Sequence, residues 1–374
     1  MTEESEPITI VEIYGDQLSS CGYCTKKDGS MRPRTSHTVG MGPLQMSCSV
    51  YKRLIDRGWR RSGDYLYKPN LKESCCPQYT IKLDAMNFKL SKSQRKALNK
   101  WNRFIIHGGD NTTVPPAKTP PPLVDFVHAA DIAVQESLGR EPAHRLEVTL
   151  EPSSYTDEKY QLYLKYQESI HEDTGNTPGG FKRFLVTSAI GQEPIPYRNG
   201  QLIAIGVIDI LPGCVSSVYF MYAPEWNAWS LGKISAIREA TLAKEIHDAG
   251  VESMTSLYMG FYIHSCPKMR YKGEYEPSYL LDPESYTWHP LETCIPLLDK
   301  AKYSTFNKNK FDANEMSQND MLQMQVVASM AGGVVKTVPL STKPIWNNPR
   351  SRKQIEAVIK TFGKGLRDDI ILCI

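Results

Sequence analysis

The sequence predicts a mixed α/β protein, in which a small cysteine-rich module precedes a larger domain built on a mixed sheet. Four cysteines in two tight pairs lie within the first eighty residues. Strand-like apolar runs alternate with helical patterns through the second half of the chain, and a proline-rich stretch separates the two parts. We therefore assign residues 1–110 to an N-terminal domain, 111–123 to a linker and 124–374 to the larger domain.

The N-terminal domain combines short strands with two helices. The β-branched segment 8–14 predicts a strand, and residues 46–59 have the apolar spacing of a helix. Segments 65–67 and 79–83 predict two further strands, which we expect to pair with each other around the cysteines. Residues 91–107 predict a basic helix with one apolar side.

The proline-rich linker has five prolines in eight residues, which favours an extended chain. The larger domain begins after it. Helices are predicted at 124–138, 156–172, 230–247 and 353–367, and strands at 144–150, 201–211, 216–222 and 256–264. The nearly continuous apolar run 201–211 is typical of a strand that is buried on both faces. The order strand, turn, strand, helix, strand predicts an acyltransferase core of the GNAT type.

Composition indicates a soluble protein. Of its 374 residues 41% are hydrophobic and 23% are charged, and no apolar stretch reaches the eighteen residues of a membrane span. The acidic N-terminal segment does not resemble a signal peptide, and an odd number of cysteines favours a reducing compartment. We expect a cytoplasmic protein that also enters the nucleus, is monomeric and does not bind membranes.

The two cysteine pairs, Cys21 with Cys24 and Cys75 with Cys76, supply four soft ligands, enough to close a tetrahedral metal site. Zinc is the default ion for four thiolates, but an iron–sulfur cluster uses the same ligands. A redox switch between Cys75 and Cys76, or free structural thiols, are the alternatives.

Basic residues are concentrated on the predicted helix 91–107. The net charge is only +3, yet this segment has no acidic residue. A local basic stripe on a nearly neutral protein favours a polyanion partner, although an ordinary solvated helix face is the alternative. The residues of this stripe are Lys92, Arg95, Lys96, Lys100 and Arg103, and a second cluster includes Arg350, Arg352 and Lys353.

The common enzyme signatures are missing from the sequence. It has no Walker phosphate loop, no HExxH zinc-protease motif and no GxSxG nucleophile elbow. The glycine-rich loop with which GNAT enzymes hold acyl-coenzyme A is also missing, and residues 229–234 (WSLGKI) stand in its place. We therefore expect an acyl donor other than coenzyme A, and no nucleotide cofactor.

Several motifs resemble the arginyl-tRNA–protein transferase family, over most of residues 15–300. Those of the N-terminal part are CGYC at 21–24, RRSG at 60–63, YLYKP at 65–69 and CCPQYT at 75–80. Those of the second part are YLKYQ at 163–167, CVSSVYF at 214–220, SLGK at 230–233 and HSCPKMRYKG at 264–273.

The resemblance implies a GNAT-like catalytic domain that takes arginine from Arg-tRNA and joins it to the N-terminal amine of a protein. Acceptors in this family begin with Asp, Glu or oxidised Cys, and the product is an N-degron for ubiquitin-dependent degradation. Two alternatives stay open at this point. One is a related aminoacyl-transferase with another donor, and the other is a non-catalytic adaptor that binds N-degrons or tRNA.

Candidate catalytic residues lie on the predicted strands and the long helix. Ser216, Ser217 and Tyr219 are candidates for hydrogen bonds to the ester or the amine. Asp209 and Glu239 are candidate carboxylates for accepting the amine proton or holding the arginyl guanidinium. The alternatives are a strand-end carboxylate that accepts turn hydrogen bonds and a surface ion pair.

Substrate-binding candidates follow from charge and position. Ser230, Gly232 and Lys233 open the long helix, whose free N–H groups favour the terminal phosphate of a tRNA.

An acidic acceptor needs a cationic pocket. Lys268 and Arg270 follow directly from a strand and are our first candidates, with Arg183, Arg198 and His264 as further ones. Contacts of this segment with tRNA phosphates, and a buried structural role for His264, are the alternatives.

Overall fold

The computed structural model describes residues 6–24, 33–109, 121–188, 201–309 and 312–374. The fold is mixed α/β as predicted, with two mixed sheets. The strands are β1 Thr9–Ser20, β2 Arg34–Gln45, β3 Arg60–Ser62, β4 Tyr65–Pro69, β5 Tyr79–Asp84, β6 Ala204–Leu211, β7 Cys214–Tyr222, β8 Ser256–Tyr262, β9 Ser278–Leu281, β10 Trp288–Pro290, β11 Gln325–Ala331, β12 Val334–Pro339 and β13 Ile370–Cys373. The α-helices are α1 Cys48–Ile55, α2 Lys92–His107, α3 Leu123–His128, α4 Ile132–Ser137, α5 Asp157–Tyr166, α6 Pro178–Phe181, α7 Leu231–Asp248, α8 Pro267–Arg270, α9 Leu291–Leu298, α10 Gln318–Leu322 and α11 Pro349–Ile359.

The first sheet has seven strands in the order β12-β11-β13-β1-β2-β4-β3. Its longest pairing is the antiparallel hairpin of β1 and β2, and β13 lies parallel to β1, with Thr9 opposite Ile370. Helices α1 and α11 bury their apolar sides in the same core, with Leu54 and Val358 fully buried. Burial of this apolar surface is the main stabilising term, at about 25 cal/mol per Å².

The second sheet has six strands in the order β10-β9-β5-β8-β7-β6. Helix α7 packs on it through Ile237 and Ala240, which have no exposed surface. Strands β7 and β8 are parallel but pair only from Cys214–Ser256 to Ser216–Tyr258. Both continue for several residues beyond this point without pairing with each other. A gap therefore opens in the middle of the sheet.

Both sheets combine strands from the two sides of the predicted linker. The first joins β1–β4 to β11–β13, and the second inserts β5 between β8 and β9. Residues 110–120 lie outside the described residues, so the division at 111–123 stays a prediction. No helix of the described residues is long and apolar enough to cross a membrane.

The predicted pairing of segments 65–67 and 79–83 is wrong. Strand β4 pairs with β2 and β3, whereas β5 pairs with β8 and β9 of the other sheet. Each segment is a strand, but its partner is set by packing between distant parts of the chain, which a local pattern does not contain.

Three further predictions differ from the structure. Segment 124–138 forms two short helices, α3 and α4, and segment 144–150 makes only a single bridge, between Leu146 and Asp131. The run 201–211 forms β6, but at the sheet edge, where Ile210 is 42% exposed. An edge strand leaves apolar residues partly exposed, so the doubly buried position was wrong.

A buried ion pair ties the two sheets together. Arg61 on β3 donates to both carboxylate oxygens of Asp209 on β6, at 2.9 and 2.5 Å. The two side chains are 7% and 8% exposed. Burial alone would lower the pKa of Arg61, but the hydrogen bond and charge of Asp209 raise it. The pair therefore fixes β3 against the edge of the second sheet.

Replacing Asp209 by Asn should destabilise the protein by about 3–5 kcal/mol, because the Arg61 cation stays buried without its counter-charge. Urea unfolding followed by tryptophan fluorescence measures the change. The comparison variant is Glu136→Gln, which breaks an ion pair with Arg145 whose side chains are 62% and 57% exposed, and it should change stability by less than about 1 kcal/mol. Equal effects of the two variants would contradict the assignment.

Candidate active site

The candidate active site is the gap between the unpaired ends of β7 and β8. Four elements place side chains there. Glu239 comes from α7, Ser217 from β7, Lys272 from the turn after α8 and Arg60 from β3, and their hydrogen bonds and charges link them. The cleft therefore combines residues of both sheets.

Glu239 is a buried carboxylate held by two serines. Its side chain accepts a hydrogen bond from Ser235 Oγ at 2.7 Å and another from Ser217, and the residue is 8% exposed. Burial raises the pKa of Glu239, while the two hydrogen bonds and the charge of Lys272 oppose the shift. A carboxylate with a raised pKa is suited to accept a proton near neutral pH.

Lys272 and Arg60 bind the backbone of β8 where β7 has left it. Lys272 Nζ donates to the Phe261 carbonyl at 2.9 Å, and Arg60 Nη2 donates to the Gly260 carbonyl at 3.3 Å. Burial lowers the pKa of Lys272 to about 7, and the charge of Arg60 adds to the effect. The two cations therefore satisfy backbone groups that a neighbouring strand does not.

Among the described residues these two cations have no carboxylate within ion-pair distance, although the charge of Glu239 acts on Lys272. Arg60 is 5% exposed, and its Nε atom has no hydrogen-bond partner among the described residues. Within the same residues, neither Arg60 nor Lys272 forms an ion pair, since both donate to backbone carbonyls. Two cations beside a single carboxylate, Glu239, leave an excess of positive charge, which favours an anionic ligand.

The predicted catalytic residues divide between the two faces of β7. A β-bulge beside Ser217 shifts the register of β6 and β7, so Ser217 faces Glu239 while Tyr219 packs on Tyr166 and Phe184, with ring centroids 6.3 and 5.1 Å away. Ser216 is 2% exposed in the closed part of the sheet.

Asp209 lies opposite Ser216 in the β6–β7 pairing and is neutralised by Arg61. The structure therefore brings Ser217 and Glu239 together, and holds Ser216, Tyr219 and Asp209 outside their hydrogen-bonded group.

The residues predicted to bind tRNA lie along α2 and at the start of α7, and the starts of these two helices are in contact. Lys233 Nζ lies 3.3 Å from Ser93 Oγ on α2, and Lys92, Arg95 and Lys96 are exposed on the same helix. Lys100 lies over the Trp229 ring, 4.8 Å from its centroid, and Arg103 is half-buried. Ser230 precedes helix α7 in a left-handed backbone conformation, and its hydroxyl does not cap the helix. Gly232, in the first turn, lies against the Phe220 ring.

The residues predicted for acceptor recognition lie outside the cleft's buried part. Lys268 and Arg270 are exposed on α8, and Arg183 is exposed in the segment after α6. Arg198 lies outside the described residues. His264 is held between the Tyr262 hydroxyl at 2.9 Å and an Asp299 oxygen at 2.8 Å.

The four predicted metal ligands lie together. The Sγ atoms of Cys21, Cys24, Cys75 and Cys76 all lie within 4.8 Å of one another, and those of Cys24 and Cys75 are 3.2 Å apart. A tetrahedral ion with Zn–S bonds of about 2.3 Å needs sulfur atoms about 3.8 Å apart. Thr35 Oγ1 also donates to Cys75 Sγ at 3.0 Å, which favours a thiolate. The residues therefore fit a four-thiolate metal site.

The metal site packs against the segment that leads into the cleft. Ile263, Cys266 and Met269 contact the cysteine cluster, and Lys272 follows three residues after Met269. Loss of the cluster would therefore disturb the position of the Lys272 turn.

Comparison with known proteins shows the family to which this chain belongs. Residues 19–96 match the family described as "Arginine-tRNA-protein transferase, N terminus", and residues 158–282 match its "C terminus" counterpart. Arginyl-tRNA–protein transferase 1 of Drosophila melanogaster is 32% identical over 88% of this chain and 92% of that protein. The chain belongs to the arginyl-tRNA–protein transferase family. It is an aminoacyltransferase that moves arginine from tRNA to proteins.

Two further relatives show the range of the similarity. Arginyl-tRNA–protein transferase 1 of Saccharomyces cerevisiae is 30% identical over 78% of this chain and 64% of that protein. Aspartate/glutamate leucyltransferase of Pseudomonas putida is 27% identical over 72% of this chain and 94% of that protein.

Sequence reasoning missed three residues of the cleft: Arg60, Ser235 and Lys272. Arg60 and Lys272 both lie in motifs that carry the family resemblance, RRSG and HSCPKMRYKG. Ser235 lies four residues before Glu239, one helical turn away, and this spacing was a usable signal. The burial of the two cations had no signal in the sequence, because it depends on where the sheet opens.

Replacing Cys24 by Ser should remove most of the bound metal and lower the thermal unfolding midpoint, because three thiolates hold a soft ion less tightly than four. Metal content after dialysis against a chelator measures this. Cys266→Ser is the matched control, since this thiol packs against the cluster without belonging to it, and it should keep the metal. Equal metal content in the two variants would contradict the ligand set.

Proposed function

We propose that this arginyltransferase acts on proteins that begin with Asp, Glu or oxidised Cys, and that its product is an N-degron for ubiquitin-dependent degradation. The observation that carries the proposal is a pair of cations, the buried Arg60 and the half-buried Lys272, which have only one carboxylate, Glu239, beside them in the described residues. Asp, Glu and oxidised cysteine all present an anion close to the N-terminal amine. The name of the bacterial relative, aspartate/glutamate leucyltransferase, supports the same acceptor class.

The proposed reaction is aminolysis of the arginyl ester. The acceptor α-amine forms a bond to the ester carbonyl carbon, and the bond from that carbon to the tRNA ribose oxygen breaks. Glu239 accepts the proton that the amine loses and passes it to the ribose oxygen, which leaves as a hydroxyl group. Ser217 and Ser235 hold the Glu239 carboxylate in place. Arg60 and Lys272 position the acceptor by its acidic side chain, which contributes to the rate through orientation.

The unpaired ends of β7 and β8 support the proposal that the second sheet is a GNAT-like core, since such a core splays beside a helix N-terminus. The exposed cations of α2 and Lys233 support tRNA binding at the starts of α2 and α7.

We propose zinc for the cysteine site. The four Sγ atoms lie within 4.8 Å, and a cluster that places its thiolates on separate irons spreads them farther apart. Zinc without inorganic sulfide in anaerobically purified protein supports this, and iron with sulfide would overturn it.

Acceptor selectivity should depend on Lys272 and on pH. The measured quantity is the ratio of kcat/KM for an Asp-initiated peptide to that for the same peptide with Asn. The ratio should fall as pH rises through about 7, because Lys272, whose pKa is lowered to about 7, loses its proton and no longer attracts the carboxylate. The titration of the α-amine affects both peptides and cancels.

Lys272→Met should reduce this ratio by about tenfold or more, and Lys272→Arg should make it independent of pH. The control Lys268→Met removes an exposed lysine nearby and should leave the ratio unchanged. An unchanged ratio in Lys272→Met would sink the acceptor proposal, while arginine transfer itself would still stand.

Glu239→Gln should lower kcat by about 100-fold or more and leave acceptor KM nearly unchanged, because the amide keeps the hydrogen bonds but cannot accept a proton. Single-turnover rates of arginine transfer from charged tRNA measure this. The control is Glu136→Gln, an exposed carboxylate on α4. A kcat within threefold of wild type would remove Glu239 from the proton transfer.

The triple variant Lys92→Gln, Arg95→Gln and Lys96→Gln should weaken tRNA binding and reduce the slope of log affinity against log salt by about 2, as expected for three lost phosphate contacts. Filter binding at several salt concentrations measures the slope. The matched control replaces Arg350, Arg352 and Lys353 on α11. A larger loss in the control would assign the tRNA surface to α11 instead.

A further inference from the structure

A cavity lies apart from the candidate active-site group, where elements of the two sheets meet. It has a volume of about 350 Å³ and lies where β4, the turn after α1 and the end of α11 meet β5 and the loop after β9. It shares no lining residue with the group of Glu239, Ser217, Lys272 and Arg60. Cavities of this volume hold small organic ligands.

Two cationic side chains contact the ring of Tyr286, which lines this cavity. Lys68 Nζ donates to the Tyr286 hydroxyl at 2.6 Å and lies 4.2 Å from the ring centroid, and the Arg57 guanidinium lies 4.0 Å from the same centroid. Arg57 is paired with Asp312 at 2.5 Å. Among the described residues, Lys68 has no carboxylate partner. Burial and the charge of Arg57 lower the pKa of Lys68, while the Tyr286 hydroxyl and the charge of Asp312 oppose the shift.

Two buried polar side chains also face the cavity without a partner. Gln78 is 8% exposed and Thr80 is 3% exposed, both line the cavity, and neither side chain makes a hydrogen bond within the described residues. Thr80 Oγ1 and Lys68 Cε both lie close to Gly58, 3.8 and 3.9 Å from the position where a Cβ would stand. Polar side chains that have no protein partner and stand beside a lysine favour a polar, negatively charged ligand in the cavity.

We propose that this cavity is a binding site for a phosphate monoester. Lys68 supplies the positive charge, and Thr80, Gln78 and the Tyr286 hydroxyl supply further hydrogen bonds to the phosphate oxygens. A point charge with several separate donors suits a tetrahedral anion, and the planar fork of Arg57, which suits a carboxylate, is already taken by Asp312.

The rest of the cavity fits the organic part of the ester. Leu71, Leu281 and Pro283 form an apolar wall, and Lys72 and Asp16 line the cavity as well. An inorganic phosphate would fill only a small part of the volume. The cavity also spans the two sheets, because Lys68 belongs to β4 and Thr80 to β5.

Titration calorimetry of the full chain with phenyl phosphate, inorganic phosphate and benzoate tests the proposal. Phenyl phosphate should bind at one site per chain and more tightly than the other two. Lys68→Met should weaken it at least tenfold, and the isosteric Thr80→Val several-fold, as expected for lost hydrogen bonds to a charged group. Lys336→Met, which removes an exposed lysine of β12, is the control and should bind like wild type. Thermal unfolding of each variant checks that it is folded.

Absence of saturable binding to the wild type would overturn the proposal. A second result would also overturn it. In that result, Thr80→Val binds phenyl phosphate as tightly as the wild type does, and Lys68→Met loses no more affinity than the control Lys336→Met. Phosphate monoesters occur both as free metabolites and at RNA 5′ ends, and a tRNA with and without its 5′-phosphate separates these sources. A preference for the phosphorylated tRNA that Lys68→Met abolishes identifies the RNA end, whereas equal binding of the two tRNAs identifies a free ester.

Discussion

The parallel pairing of β7 with β8 ends after three residue pairs, and the active site depends on this separation. A sheet that stayed closed would bury the backbone of β8 against β7 and leave no room for substrates. Once the strands diverge, the β8 carbonyls need other donors, and Lys272 and Arg60 supply them. The same opening lets Glu239 of α7 reach Ser217 of β7. One break in a hydrogen-bond ladder therefore positions a buried carboxylate and two cations.

Charge balance in the cleft explains why burial is tolerated there. The group contains two cations, Arg60 and Lys272, and one carboxylate, Glu239. Burial lowers the pKa of Lys272 and raises that of Glu239, so it favours the neutral form of each. One acidic side chain from an acceptor would complete the balance and favour the charged form of Lys272. The cost of the unpaired cation in the free enzyme is thus recovered as binding energy for an anion.

Local patterns in the sequence predicted elements and ligands well, and long-range partners poorly. The cysteine quartet was predictable because its chemistry follows from residue type and spacing, and the structure brings all four thiols together. Glu239 and Ser217 were each named, but their hydrogen bond was not, since it depends on a bulge in β7. Strand β2 was missed because its glycines and proline interrupt any alternation. Lys268 was named as a candidate and Lys272 was not, because the sequence does not distinguish the two lysines. Only the structure shows that Lys268 is exposed on α8 and that Lys272 turns inward after it.

Strand β13 has a consequence for how the chain reaches its native state. Thr9 pairs with Ile370, so two neighbours in the middle of the first sheet are separated by nearly the whole described chain. Until both segments have been synthesised, β1 has an open edge beside its hairpin partner β2, and an open edge invites pairing with other chains. Such high contact order slows folding and prolongs exposure to aggregation. The yield of folded protein in a cell should therefore depend on the time between the synthesis of β1 and its pairing with β13. Binding of a chaperone to the open edge of β1 would matter most during this time.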